Sequence, residues 1–224
     1  MKSNKNLSNS RKLIRKYIVP FLFTAKIPSV TRISLNLRLI PIFKKLKPGI
    51  VLDVGSKKSP YKKYIPNTKY MNLDINKDDN PDICCDIHNI KWKDDYFDTV
   101  IATEVLEHIH NPQKAIKEIH RILKKDGICI LTTRFMCYFH PDPKDYFRFS
   151  HQGLRYLFKD FEDVKIYHHG NAIQVIWQLL NRGKIGIILN IFNPLFARIN
   201  YKNSKAPLGF IVLAKKSKNL NMKV

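Results

Sequence analysis

Two carboxylates and one tight turn carry the first chemical signal in this chain. Val51-Leu52-Asp53-Val54-Gly55-Ser56 reads as a buried strand running into a turn, and Asp74 follows 21 residues after Asp53, at the end of a second β-rich run. If these are neighbouring strands of a parallel sheet, both acids lie at its carboxyl edge, where nucleosides bind. A carboxylate at the second strand end can there accept hydrogen bonds from both ribose hydroxyls. The turn narrows the choice of nucleoside. A dinucleotide needs Gly-x-Gly-x-x-Gly so that its pyrophosphate can approach the backbone, whereas Gly55 is followed by Ser56, Lys57, Lys58 and Ser59.

A ribose-bearing cofactor without phosphates fits such a turn. S-adenosylmethionine brings only an amino-acid tail to it, and one glycine can suffice, provided Lys57 and Lys58 point away from the cationic sulfonium. The chemistry expected is an in-line displacement at an activated methyl, which needs alignment and a water-poor pocket. A hydroxyl acceptor must also lose its proton, to His, Asp or Glu. The richest source of such groups is His140-Pro141-Asp142-Pro143-Lys144-Asp145-Tyr146-Phe147-Arg148-Phe149, a proline-stiffened loop. His140 is the expected base, with Asp145 and Arg148 orienting the acceptor. The alternative is an internal Asp145–Arg148 ion pair that fixes the loop while His140 stands by. Glu107 and His108, one turn beyond Glu104, could reach the acceptor or a divalent cation, but the run lacks further spaced ligands, so no metal is expected. The four cysteines, Cys84, Cys85, Cys129 and Cys137, include no Cys-x-x-Cys, so neither a disulfide framework nor a zinc site is indicated and a reducing compartment fits best.

The elements that must position these residues alternate from Ile50 onward, short β-rich runs with helical patterns, the sign of an α/β parallel sheet with helices on both faces. Strands are expected at Ile50–Val54, Tyr70–Asp74, Ile83–Cys85, Thr99–Ala102, Ile128–Thr133, Val164–Tyr167 and Phe210–Ala214. The best-signalled helix is 112–123: Asn111 can cap it, Pro112 sits at its first position, Ala115, Ile116, Ile119, Ile122 and Leu123 form a stripe, and Gly127 can close it. Before the sheet, residues 11–18 form a basic amphipathic pattern ended near Pro20, and 27–46 read as further helix broken by Pro48-Gly49. Between the last two strands, Ala172 to Ile199 reads as two short apolar helices. The domain plan is a basic helical extension over 1–48, the main domain over 49–215 with an insertion at 170–205, and a basic tail over 216–224.

The run Phe97-Asp98-Thr99-Val100-Ile101-Ala102-Thr103-Glu104-Val105-Leu106-Glu107-His108-Ile109, followed by Asn111-Pro112 and Ile122-Leu123-Lys124-Lys125-Asp126-Gly127, closely resembles the class I methyltransferase family known as methyltransferase type 11. The resemblance spans about residues 50 to 160. It implies a Rossmann-like, seven-stranded, mostly parallel sheet with a reversed last strand, and S-adenosylmethionine as cofactor. Carried over by position, Asp53, Gly55 and Ser56 would surround the methionine moiety, and Asp74 with Ile75 would hold the ribose side. Asp86 and Ile87 would meet the adenine, and Thr103 and Glu104 would close the floor beneath the sulfonium. The departure from the family pattern is again the glycine-poor turn with its two lysines.

Charge bears on partners. The formal net charge is +22, and all of the excess lies in the flanks: residues 1–48 hold 12 Lys/Arg and 164–224 hold 10, neither with any acid, while the middle balances. Anionic partners are therefore met by the flanks. The segment 11–18 either caps the domain, the preferred reading, or lies on an anionic membrane. Pro20 and Lys26 interrupt the apolar run after it and no window reaches the ~18 apolar residues of a span, so a cytoplasmic protein, peripheral at most to the inner membrane face, is expected. Base methylation of nucleic acid is disfavoured, because Thr103-Glu104-Val105-Leu106 stands where an Asn/Asp-Pro-Pro-Tyr/Phe motif would serve exocyclic amines. The leading reading is O-methylation of a small molecule or lipid-linked saccharide. An RNA-directed methyltransferase and a non-catalytic binding module are the alternatives.

Overall fold

The computed structural model describes residues 27–140, 143–181, 186, 188–200 and 205–217. The basic segment 11–18 lies outside them. The chain builds a seven-stranded sheet in the order β3-β2-β1-β4-β5-β7-β6, from β1 (Ile50–Val54), β2 (Lys69–Asp74), β3 (Ile83–Cys84), β4 (Phe97–Thr103), β5 (Leu123–Arg134), β6 (Glu162–His169) and β7 (Gly209–Lys215). Neighbours from β3 through β5 pair parallel, and β7 runs antiparallel between β5 and β6. The sheet is the one the resemblance implies, reversed strand included.

Period-two alternation places the core on both faces. Leu52, Val54, Val100, Cys129 and Leu131 face a cluster completed by Ala115, Ile116, Ile119 and Ile122 of helix α2 (Pro112–Ile122) and Leu154 of α3 (His151–Leu157). Val51, Ile101, Ile130 and Ile211 face the other way, onto Leu35, Leu39 and Phe43 of α1 (Val30–Lys44) with Tyr61 and Ile65. Thus α1 is a structural layer of the domain. Its capping residue is Ser29, whose hydroxyl accepts from the Arg32 amide, and it runs through Pro41.

Helix α2 starts as expected, with Asn111 accepting from the Lys114 amide, but it ends at Ile122, and Leu123 already opens β5. Gly127 is not its closure. The left-handed residue is Asp126, at φ 63°, inside a strand that starts five residues earlier than its apolar run, and Lys124 pairs with Asp98 across β4 at 2.9 Å. The apolar insertion forms α4 (Ala172–Leu180) and α5 (Asn193–Phe196), joined by a Trp177–Phe196 stack with centroids 3.6 Å apart. Thr31 of α1 hydrogen-bonds Gln178, and Asn193 reaches the Pro28 carbonyl at 3.0 Å, so the insertion packs on α1. No helix among the described residues is long and apolar enough to cross a membrane.

Candidate active site at the carboxyl edge

The ends of β1, β2, β3, β4 and β5 lie together at one sheet edge, which brings Asp53, Asp74, Glu104 and Arg134 into one neighbourhood. Asp53 is 1% exposed. One carboxylate oxygen accepts a 2.6 Å hydrogen bond from the Tyr70 hydroxyl and the other has no partner among the described residues. Burial pushes its pKa up to about 7, against the opposing hydrogen bond from Tyr70. The chain then turns through Gly55 at φ 65°, where an added Cβ would lie 2.7 Å from a Val105 methyl. That approach and that φ both demand glycine. Lys57 and Ser59 also take left-handed conformations, and the Lys57 and Lys58 side chains are exposed, as a nearby sulfonium would require. Ser56 is buried against Ser59, with the hydroxyls 3.1 Å apart.

Asp74 is clamped by the backbone. Its two oxygens accept from the Asn76 amide at 3.1 Å and the Lys57 amide at 3.4 Å, which fixes the carboxylate and leaves each oxygen capacity for a ribose hydroxyl. Ile75 beside it is 69% exposed, an apolar face at a strand end. Asp86 caps the 3₁₀ turn Ile87–Asn89, accepting from the His88 amide at 2.8 Å, and Ile87 is buried. Burial raises the Asp86 pKa, but the His88 hydrogen bonds outweigh it and hold the carboxyl below its usual range. Thr103 ends β4, and Glu104 follows at φ 57°, a left-handed conformation that a residue with a Cβ adopts only under constraint. Arg134 at the end of β5 supplies part of that constraint with a 2.7 Å ion pair to Glu104.

These residues fit S-adenosylmethionine. The pre-oriented Asp74 suits a ribose diol, the unpartnered buried oxygen of Asp53 is an acceptor suited to a cationic ammonium, and the single obligatory glycine marks a close approach without a phosphate cradle. Of two further clefts on the described residues, one lies against Ile116 and His120 and one lies between α1 and α4, beside the carboxyl end of β6.

A second group adjoins the first. The 3₁₀ turn Leu106–His108 buries Glu107 completely. One of its oxygens accepts from Thr133 at 3.0 Å while the other has no hydrogen-bond partner, and burial followed by the nearby Glu104 charge pushes the pKa up to about 7. The carbonyl of Glu107 accepts from the Tyr146 and Phe147 amides, which ties the 143–149 loop over the turn. Arg148 grips Asp145 through both guanidinium nitrogens and holds its pKa down to about 2, and the Asp145 side chain is 1% exposed. That ion pair is internal to the loop, and it also anchors His140, whose amide and Nδ1 lie 3.3 Å from an Asp145 oxygen. Burial lowers the His140 pKa, keeping the ring neutral at physiological pH. His140 meets His108 edge-on with centroids 5.0 Å apart, and one ligating atom from each of Glu107, His108 and His140 falls within 4.8 Å of the others.

The fold therefore assembles Asp53, Gly55, Asp74 and Glu104 at one edge and joins His140, Asp145 and Arg148 in one loop beside them. Sequence reasoning missed Tyr70 and Arg134, the partners of Asp53 and Glu104. A lone charged residue directly after the apolar run of β5 is the signal that marks Arg134.

Comparison with known proteins agrees with this geometry. Residues 54–131 match the family model of a methyltransferase domain. An uncharacterized protein of Methanocaldococcus jannaschii is 35% identical over 100 residues, 42% of this chain, and the match spans under half of the relative, 44% of its length. Among solved structures, a SAM-dependent methyltransferase from Archaeoglobus fulgidus superposes with TM-score 0.57 at 20% identity, over 88% of this chain and 99% of that one. A phosphoethanolamine N-methyltransferase of Haemonchus contortus, solved with phosphomonomethylethanolamine and S-adenosylhomocysteine, gives TM-score 0.54 at 14% identity, over 82% of this chain and 52% of that one.

Proposed function

We propose that the chain is a class I, S-adenosylmethionine-dependent methyltransferase that moves the cofactor's methyl group onto a hydroxyl oxygen of a small molecule or saccharide, a reading supported by the match of residues 54–131 to a methyltransferase-domain model. One observation carries the reading: the clamped Asp74 beside a single-glycine turn shares its sheet edge with a cluster of proton-handling side chains, Glu107, His108 and His140. When bound, S-adenosylmethionine supplies a methyl group on a sulfonium leaving group. The chain's own residues then have two tasks. Asp74 and Asp53 orient the cofactor's polar ends, which contributes alignment. The cluster assists loss of the acceptor's proton, a task an oxygen nucleophile imposes. The exposed rings of Tyr146 and Phe147, on the loop tied to Glu107, offer amphipathic faces suited to a saccharide.

A lipid-linked saccharide at the inner membrane face is the favoured form of the acceptor. Two features support it: the insertion leaves Ile176, Leu179, Leu180, Ile191, Phe192 and Leu195 exposed, and the flanks carry the whole excess of positive charge. A cysteine-nucleophile route to a base is disfavoured, since burial raises the Cys137 thiol and removes the thiolate such chemistry needs. The test is transfer of tritium from methyl-labelled cofactor into fractionated cell extract. Label in saccharide or lipid-saccharide fractions, stable to mild base as an ether is, is the expected result. Label confined to RNA or protein fractions would overturn the reading.

A further inference from the structure

We propose that Glu107, His108 and His140 hold a divalent transition-metal cation, in a two-histidine, one-carboxylate site with its remaining positions open to an oxygen ligand. The sequence offers only half of such a site, because Glu107 and His108 are adjacent and His140 lies 32 residues further on. The loop closes that gap: its Tyr146 and Phe147 amides bind the Glu107 carbonyl, and the Asp145 carboxylate binds the His140 amide. One ligating atom from each side chain then lies within 4.8 Å of the others. Ligands at tetrahedral angles around a cation with bonds of about 2.1 Å stand roughly 3.4 Å apart, so side-chain rotations of about 1 Å complete the site.

Three independent features point to a cation. The His108 Nδ1 is directed at the Lys144 carbonyl at 2.9 Å, while the His140 Nδ1, 3.3 Å from the Asp145 carboxylate, is buried without a hydrogen-bond partner among the described residues. For His108 that places the ring proton on Nδ1 and the lone pair on Nε2, the arrangement by which metal-bound histidines are oriented from outside the coordination sphere, and the unpartnered His140 Nδ1 is itself a donor atom that a cation would satisfy. Next, Glu107 is 0% exposed and its free oxygen has no hydrogen-bond partner among the described residues, a cost that a bound cation removes. Arg134 does not meet that need, since its Nε sits 3.8 Å from this oxygen and is committed to Glu104 at 2.7 Å. Finally, two carboxyl groups, Glu104 and Glu107, share the guanidinium of Arg134, while Arg148 is taken by Asp145.

The mixed nitrogen and oxygen donors suit zinc, manganese, iron(II) or cobalt(II) over magnesium or calcium, which prefer all-oxygen sites. Three protein ligands leave a position for a further oxygen, as in catalytic rather than structural metal sites. This inference rests on the O-methylation reading only for the use of that open position. An acceptor hydroxyl bound there would be more acidic, its proton would pass to solvent water, and the methyl would move from the sulfonium to the oxygen, leaving S-adenosylhomocysteine.

Cobalt(II) alone is the probe. Full-length protein stripped with chelator is titrated with cobalt(II) and its visible d–d absorption followed, with binding of S-adenosylmethionine measured on the same samples by calorimetry. The expected result is one equivalent of cobalt bound with a low-symmetry d–d spectrum, lost in both Glu107→Gln and His140→Ala while cofactor binding persists. No cobalt spectrum in the wild-type protein, or an unchanged one in the two variants, would overturn the site. Because cofactor binding is read separately, its absence would count against the methyltransferase reading and leave the cobalt result to decide the metal.

Discussion

Asp53 is held at the end of β1 with one oxygen on Tyr70 and the other unpartnered, and burial pushes its pKa from 3.8 up to about 7. Between those values the folded chain holds a proton that the unfolded chain has released. Stability contributed at this position therefore falls as pH rises through that window, and the loss is complete above about 7. Asp53→Asn removes the titration while keeping an acceptor for Tyr70. It is expected to raise the thermal unfolding midpoint of the cofactor-free protein at pH 8, and to raise it less at pH 5. An equal change at both pH values would show that Asp53 does not titrate as described. At this scale the sequence was only half informative. Asp53, Asp74 and Glu104 are visible as acids at strand ends, but Tyr70 and Arg134 become their partners only through the β1–β2 and β4–β5 registers, which local sequence does not encode.

Among the elements, α1 makes the clearest energetic statement. Leu35, Leu39 and Phe43 recur at four-residue spacing and all three are buried against the face of Val51, Ile101 and Ile130. Phe43→Ala empties a fully buried position, and a loss of about 3–5 kcal/mol is expected in chemical denaturation. A change within about 0.5 kcal/mol, the range of ordinary surface substitutions, would mean that α1 does not cover the sheet. The elements were the most legible level: all seven strands fall where alternation and apolar runs place them, as does the Asn111-Pro112 start of α2. The misreading at Gly127 has a physical cause. A glycine after a helical stripe normally closes the helix, but here β5 begins at Leu123, and Asp126 takes the left-handed turn that glycine would otherwise supply. The cluster of Glu107, His108 and His140 was illegible for a different reason, since it depends on a loop folding back across 32 residues.

Across the whole molecule, the charge-balanced stretch 49–163, which carries β1–β5, lies in sequence between stretches that hold the entire excess of +22, and the second of these contains β7, most of β6 and the insertion with exposed apolar side chains. On the proposed reading, catalysis at the carboxyl edge and attachment through the flanks are separate properties. The account as a whole depends on the first of these, on an adenosyl sulfonium gripped between β1 and β2. Its most direct test is calorimetric titration of the full-length protein and of Asp74→Ala with S-adenosylmethionine. One site is expected in the wild type. Removing the clamped carboxylate deletes hydrogen bonds to a charged group, worth about 1.5–3 kcal/mol, so affinity in the variant should fall roughly ten- to a hundredfold. No heat of binding in the folded wild-type protein, or equal affinity in the two, would contradict the account.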